Sequence, residues 1–400
     1  MSQPLRIREV ELHRLAIPMR VAFEHAAATR RVADPIVLRL VAEAPHTDLA
    51  GCGETLARGY VTGETVESVC QDVERLFLPL LLQFRPASFP AALEFIDALP
   101  FEREGRCVNA ARAAVELALL DLAGRAFRRR AADASGWMGL AGFGAPGCLG
   151  KARYSGVVIG RGALKCAALV GIQRAWGLRD FKLKVAIPGW EQRLAVAGRA
   201  LRSAIRRGRC TFRVDANGGW SVEDVTAAIP LIESAGVCAI EQPLSPADDD
   251  RLTQLATRTR CDLVADESLV TAEDARRLIE SGGVQVFNLR IAKVGGLLPA
   301  LRLAQLAIAA GRDVQLGCLV GETSILTAAG LAFLEACPRV RFLEGAFGRF
   351  LLQRDVVRRP ISIAYGGTPR AQPGFGLGVE PDTALLQQAA DGTGAAVFRF

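Results

Sequence analysis

Three short apolar runs each end in a carboxylate: Arg213-Val-Asp215-Ala-Asn217, Ile240-Glu241-Gln242-Pro243 and Ala265-Asp266-Glu267-Ser268. The acids lie 26 residues (215 to 241) and 25 residues (241 to 266) apart. That interval is about one strand, one helix and two loops, the unit that a parallel β/α fold repeats. In a closed barrel of such units, the C-terminal ends of successive strands converge on one mouth, where chemistry is done. Three acids brought together without compensation repel one another. An oxygen-preferring divalent cation relieves that repulsion, and the lack of a nearby His or Cys pair favours Mg²⁺ over zinc.

A second stretch, Phe181-Lys-Leu-Lys-Val185, alternates two lysines with three apolar residues. Strand side chains point alternately to opposite faces. With Phe181, Leu183 and Val185 turned to the helices, Lys182 and Lys184 point into the barrel, where an unpartnered ammonium is costly. The facing carboxylates supply partners. A third lysine, in Asn288-Leu-Arg-Ile-Ala-Lys293-Val-Gly-Gly296, stands where the sixth strand is expected to exit, and its two glycines permit a close turn. Lys184 and Lys293 would then lie across the mouth from one another, a disposition suited to two bases working on opposite faces of one carbon.

These residues need a frame. Apolar runs begin near residues 154, 180, 212, 238, 263, 286, 314 and 341, with helical patterns between them, for example Trp190–Arg206, Val222–Ala235 and Leu298–Ala310. Eight such runs predict a β/α barrel with an irregular first or last unit. Upstream, Ile7–His13 and Pro35–Val41 alternate like antiparallel strands around an expected loop, Met19 to Arg31. Helical patterns follow over 64–83, 90–98 and 107–130, the first capped near Thr62 or Gly63. In the last, Asp121 is an acidic exception on a face of Ala110, Ala113, Ala114, Leu117 and Ala118, and calls for an N–H or Arg partner. The division expected is an α+β domain over 1–135, a barrel over 150–350, and a segment over 351–400 returning to the first domain.

Composition narrows the class. Half of the 400 residues are hydrophobic and the formal charge is +7. The arginines are scattered, without an aromatic-interleaved basic stripe, so no nucleic-acid partner is expected. No clean apolar stretch is long enough to span a bilayer, and the start, Met1 to Arg20, lacks a signal peptide's apolar core. The ten cysteines are dispersed and form no C-x-x-C. Cytoplasmic location and free thiols are expected. Gly142-Phe-Gly-Ala-Pro-Gly147 matches G-x-G-x-x-G, yet no clear strand precedes it and Pro146 interrupts it, so it reads as a linker, not a nicotinamide site.

The ordered set Lys-x-Lys, Asp-x-Asn, Glu-Gln-Pro, Asp-Glu-Ser and Lys-x-Gly-Gly resembles the enolase superfamily, muconate-lactonizing subgroup, over nearly the whole chain. The resemblance implies a modified (β/α)8 TIM-like barrel with an N-terminal α+β capping domain. It implies one Mg²⁺ per subunit on Asp215, Glu241 and Asp266, and Lys184 as acid/base with Lys182 beside it and Lys293 on the opposite face. Asn217, Glu322, Phe23, His25 and Tyr60 are candidates for substrate contact, and Glu322 is alternatively a buried ion-pair partner of Lys293. The partner implied is a small-molecule carboxylate, and the assembly a homo-oligomer. Dipeptide epimerases are near, but their Asp-x-Asp at the eighth strand is here Leu343-Glu344-Gly345, with one acid.

The reaction expected begins with removal of a proton beside a carboxylate. That proton is very weakly acidic, and its loss places a second negative charge on the carboxylate oxygens, which nearby positive charge stabilises in the transition state. The base must be a neutral amine, whereas free lysine titrates near ~10.4. With two lysines in place, racemisation or epimerisation of an amino-acid-derived or related carboxylate is the leading expectation. Cycloisomerisation of a muconate-like diacid, or dehydration as in o-succinylbenzoate synthesis, uses much the same residues. A metal-binding relative without catalysis is the non-enzyme alternative, against which the intact lysines and acids speak.

Overall fold

A computed structural model describes residues 4–25, 28–140, 143, 149, 151–159, 162–337 and 339–400. The first sheet contains β1 (Ile7–Leu15), β4 (Ile36–Ala42) and β5 (Ala50–Thr55), all antiparallel. Between β1 and β4 the chain forms a hairpin of β2 (Ile17–His25) and β3 (Ala28–Ala33). This corrects the loop expected over Met19–Arg31. The residues Ile17 to Ala33 find strand partners in each other, and Met19 bridges Leu352 while Arg20 Nε donates to Leu352 O (2.8 Å). The helix Val66–Asp72 is capped by Thr65, whose side chain accepts from Ser68 N, a few residues after the cap expected from sequence.

The helix Asn109–Ala126 is buried from Asn109 to Gly124 and lies directly on β5. Glycines make that approach possible. A Cβ on Gly53 would sit 2.0 Å from Ala114 O and 2.6 Å from Ala118 N. Asp121 finds the partners its position demanded: it accepts from Cys52 N (3.0 Å), Leu377 N (2.8 Å) and Arg125 Nε (3.1 Å). A two-residue ladder, β6 (Glu102–Arg103) with β7 (Arg106–Cys107), precedes this helix.

From residue 156 eight parallel strands follow in sequence order: β8 (Gly156–Val158), β9 (Asp180–Lys184), β10 (Thr211–Asp215), β11 (Ala239–Glu241), β12 (Asp262–Ala265), β13 (Val286–Leu289), β14 (Asp313–Leu316) and β15 (Val340–Leu343). The two outer strands meet through a parallel bridge of Tyr154 with Leu343, and Ser155 N donates to Leu343 O (2.8 Å), so the sheet closes on itself. Helices such as Trp190–Arg206, Val222–Ser234 and Leu297–Ala309 cover its outside. The last unit is the irregular one. After β15 only a four-residue helix, Gly348–Leu351, stands where a full barrel helix would follow; a short helix, Thr383–Ala389, then leads into β16 (Ala390–Arg399), which pairs with β1. The fold is a modified β/α barrel with an α+β cap.

No described helix is long and apolar enough to cross a membrane. The nine described cysteines are free. The glycine match at 142–147 lies, apart from Phe143, outside the described residues.

One buried acid links the two sheets' surroundings. Glu54, at the end of β5, accepts from Thr323 N (2.7 Å), Thr323 Oγ1 (2.6 Å) and Leu326 N (2.9 Å), at the start of the helix Ser324–Ala336. Burial outweighs these bonds and pushes its pKa up to about 7 from 4.5. A carboxyl whose folded pKa is raised contributes stability that is present below its unfolded pKa and lost as pH rises through the folded one. The rise corresponds to about 3 kcal/mol. The stability advantage of the natural protein over Glu54→Gln therefore shrinks by that order between pH 4.5 and 8, measured by urea unfolding. A difference that stays flat across this range would refute the assignment.

Candidate active site

The strand register places the chemistry. Lys184 pairs with Asp215, and Asp215 with Glu241, so these three side chains leave β9, β10 and β11 at one level. One pleat repeat below, Lys182 stands opposite Arg213. The alternation expected of β9 holds: Phe181, Leu183 and Val185 are buried in the apolar core, whereas Lys182 and Lys184 reach acids inside the barrel. β10 repeats the pattern, with Phe212 and Val214 in the core and Arg213 and Asp215 facing in.

Lys184 Nζ donates to Asp215 Oδ2 (2.6 Å) and Asn217 Oδ1 (2.8 Å). Lys182 Nζ reaches both oxygens of Glu241 (3.1 and 3.2 Å) and Glu344 Oε2 (2.7 Å). Burial disfavours the ammonium of Lys182, but Glu241, Glu344 and Asp215 outweigh it and push its pKa up. On the far side of the acids, Lys293 Nζ donates to Asp266 O (2.6 Å), Asp266 Oδ1 (2.9 Å) and Asn288 O (2.8 Å). Its pKa is lowered: burial leads, the neighbouring Arg290 charge adds to it, and Asp266 only partly opposes. Arg290 itself is ion-paired to Asp266. The two outer lysines thus approach one acid cluster from opposite ends, Lys184 beside Asp215 and Lys293 beside Asp266.

The motif residues between these groups fix their backbones. Gln242, at φ 37°, accepts with Oε1 from Asp266 N (2.9 Å) and Ser268 N (3.2 Å) and donates with Nε2 to Ser268 Oγ (2.7 Å), locking the turn after β11 to the turn after β12. The turn carrying Lys293 is held by the cap: Asn109 Nδ2 donates to Lys293 O (3.0 Å), and Arg112 Nη1 to Gly295 O (2.5 Å). Gly296, at φ 129°, leaves room that a Cβ would contest with Glu116 Oε2 at 1.8 Å.

A cavity of about 380 Å³ opens above this cluster, lined at its polar end by Lys182, Lys184, Asn217, Arg290, Glu322 and Glu344. Tyr60, from the short helix Gly59–Thr62 of the cap, lines it as well, as does Val21. Phe23 and His25 belong to β2, but their side chains lie outside the described residues. Glu322 is not the ion-pair partner of Lys293. It accepts from Leu319 N (2.5 Å), burial pushes its pKa up to about 8, and Lys293 is taken by Asp266.

Three charged residues of the site, Arg213, Arg290 and Glu267, had no role in the sequence reading, and a fourth, Glu344, was named there only as a lone acid. Arg213 donates to Glu344 Oε1 (2.8 Å) and Ser155 Oγ (3.2 Å) and stacks on Phe342, its guanidinium carbon 4.0 Å from the ring centre. Glu344, held ionised by Lys182 and Arg213 against its burial, is thereby committed. Arg290 directly follows β13, two residues after Asn288. Glu267 Oε1 accepts from Asn217 Nδ2 (3.1 Å). For Arg213 and Arg290 a signal was available, the same alternation that singled out Lys182 and Lys184.

As the side chains stand, no three described His, Cys, Asp or Glu residues are arranged around a single metal position. Lysines and Arg290 hold the acids instead. The donor set nonetheless fits a hard cation: Asp215, Glu241 and Asp266 are fully buried on consecutive strands and offer only oxygen. Burial and the charge of Asp215 push the Glu241 pKa up to about 8, a sign of crowded negative charge. Beside them Glu267 Oε2 is buried without a hydrogen-bond partner among the described residues.

Residues 165–385 match the family described as Enolase C-terminal domain-like. The chain is 31% identical to the L-Lys-D/L-Arg epimerase of Methylococcus capsulatus over 351 residues, covering 84% of this chain and 88% of that one. It is 27% identical to the hydrophobic dipeptide epimerase of Enterococcus faecalis over 347 residues, covering 86% and 92%. The solved structure of N-succinyl Arg/Lys racemase from Bacillus cereus superposes with a TM-score of 0.83, covering 98% of this chain and 100% of that one at 22% identity, a likeness of fold. The chain belongs to the enolase superfamily and is an isomerase of it.

The buried pairs at Glu344 have a measurable consequence. Removing one partner of a buried ion pair strands the other charge and costs about 3–5 kcal/mol. Glu344→Ala, which strands Arg213 and leaves Lys182 with Glu241 and Asp215, is expected to lose stability of that order in denaturant unfolding. Adding Arg213→Met should recover part of it. A loss under about 1 kcal/mol would mean that water replaces the carboxylate and the pairing is dispensable.

Proposed function

We propose that this superfamily member removes and returns a proton on the carbon next to a substrate carboxylate, racemising or epimerising an amino-acid-derived or related acid. The observation that carries this reading is the approach of two buried lysines, Lys184 and Lys293, to one acid cluster from opposite ends, beneath the cavity. A carbon held over that cluster has an amine on each face. One takes the proton, the other supplies one from the opposite side, and the configuration inverts.

Asp215, Glu241 and Asp266 would hold Mg²⁺, which when bound supplies positive charge to the substrate carboxylate as the enolate forms. Lys182 has a different part. Tied to Glu241 and Glu344, it keeps its proton and adds fixed positive charge to the same face of the barrel. Arg290 does so near Asp266. Asn217 orients Lys184 through its side-chain oxygen and is in turn oriented by Glu267. The polar end of the cavity is thus a preorganised, water-poor environment for a developing dianion, the arrangement that contributes most to barrier lowering. Tyr60 and Val21 bring the cap over the substrate, and Phe23 and His25 of the same hairpin belong to this proposal as neighbours in sequence.

The test is α-hydrogen exchange in D₂O with Mg²⁺, across N-acyl amino acids, dipeptides, muconates and hydroxy acids, read by mass spectrometry and chiral chromatography. Deuterium should enter at the α-carbon with unchanged connectivity and with inversion. Lys184→Ala and Lys293→Ala should each lower turnover by about 10²–10⁴-fold, and each should spare exchange from the enantiomer whose proton faces the remaining lysine. Turnover intact in Lys184→Ala would remove the assignment. Loss of water, or a new lactone, would replace racemisation with dehydration or cycloisomerisation. Chelation should abolish exchange and added Mg²⁺ restore it.

A further inference from the structure

The cavity above the acids does not end at the barrel mouth. It continues as an apolar groove past Gly156, Val157 and Ile159 on one side and Ala346 and Phe347 on the other. All its charged lining residues stand on barrel strands or the loops that leave them. Beyond that end its walls are apolar except for Gln173.

The missing last helix of the barrel explains the groove. The helix Ala163–Ala175 buries Cys166 and Val170 on its core face. Leu169, Ile172 and Trp176, three and four residues apart, form a stripe on its flank. A regular barrel unit after β15 would supply a helix to cover this stripe. Here the four-residue helix Gly348–Leu351 and the irregular chain after it leave it open, with Ile172 67% and Trp176 47% exposed. Phe350, half exposed, and Ile363 form the facing wall. Gln173, on the same flank, donates its amide to Val157 O (3.0 Å).

We infer that this groove is a substrate subsite: the carboxylate over the acids carries an extended, apolar and uncharged group that lies against Leu169, Ile172 and Trp176. The inference rests on the proton-transfer reading for the position of the carboxylate. Continuity selects this occupant over a second copy of the chain, because one cavity joins Lys184 and Arg290 to Trp176. Its volume, about 380 Å³, is in the range of small-molecule sites. Charge selects against an ammonium-bearing substrate such as a free dipeptide. Glu344, the acid at the eighth strand, is already shared by Lys182 and Arg213; Glu322, the other lining acid, accepts from Leu319 N and is pushed toward its neutral form by burial; and the groove beyond them offers no carboxylate.

The experiment uses N-acyl amino acids whose acyl chain lengthens from acetyl to octanoyl, with binding measured by calorimetry in the presence of Mg²⁺ and α-deuterium exchange recorded on the same compounds. Affinity should rise at least tenfold from acetyl to octanoyl. Ile172→Glu and, on the opposite wall, Phe350→Glu change exposed positions, so both should fold, and each should bring the octanoyl-to-acetyl ratio toward one. A preference for long chains without exchange would sink the enolate reading and leave the subsite standing. Exchange or binding without a chain-length preference would overturn the subsite. So would a ratio unmoved by both variants, including the case in which they only dissociate an oligomer.

Discussion

Charge balance inside the barrel is the constraint on which the rest depends. Asp215, Glu241, Asp266, Glu267 and Glu344 are buried together with Lys182, Lys184, Arg213, Arg290 and Lys293. An isolated buried charge costs far more than a domain can spare, so these groups persist because opposites are within reach, Glu267 excepted, which accepts from Asn217. The pairs are layered by the strand pleat. Arg213 and Lys182 form a lower level closed by Glu344, and Lys184 with Asp215 an upper one. With equal numbers of acids and cations, a divalent ion added to the upper level makes the site attractive to an anion. That is the electrostatic condition a carboxylate substrate needs.

Such a site tolerates little looseness, and the surrounding structure is built accordingly. The turns bearing the acids are cross-linked by Gln242, at the expense of a left-handed backbone at that residue. The turn bearing Lys293 is set from the other domain by Asn109, Arg112 and Glu116, themselves buried in the first helix-on-sheet layer. The cap therefore does two things at once. It roofs the cavity with Tyr60 and Val21, and it positions a lysine of the site. Gly295 and Gly296 are where those two demands meet, since neither the turn nor the approach of Glu116 leaves space for a side chain.

Much of this was legible in the chain because it is periodic. Strand–helix spacing revealed eight barrel strands, and a two-residue alternation placed Lys182 and Lys184 inside. The same rule, applied to Thr211–Asp215 and Val286–Leu289, points Arg213 and Asn288 inward too, and carried one residue past the second strand it reaches Arg290. They went unremarked because a single arginine in a strand has no pattern of its own. Glu344 was noticed only as the lack of a second acid. What decides its role is the closure of the sheet, which brings β15 round beside β8 and sets Glu344 against side chains more than a hundred residues away. No local pattern encodes that. The hairpin from Ile17 to Ala33 was missed for a related reason: its strands pair with each other and dock on Leu352, and among the described side chains of β2 only Ile17 and Met19 are buried, too short an alternation to mark a strand.

The irregular end of the barrel connects this architecture to selectivity. A helix after β15 would bury the flank of Ala163–Ala175 and gain apolar contact of the usual kind, about 25 cal/mol for each Å² covered. Forgoing that helix leaves Ile172 and Trp176 in water, a standing cost unless something apolar covers them in the working state. The polar end of the same cavity is fixed by the charge balance and can discriminate little beyond a carboxylate. Discrimination must then come from the part of the substrate that meets the groove, where shape and apolar area vary freely without disturbing the paired charges below. The catalytic layer and the selective layer are separated in space, and the missing helix is what separates them.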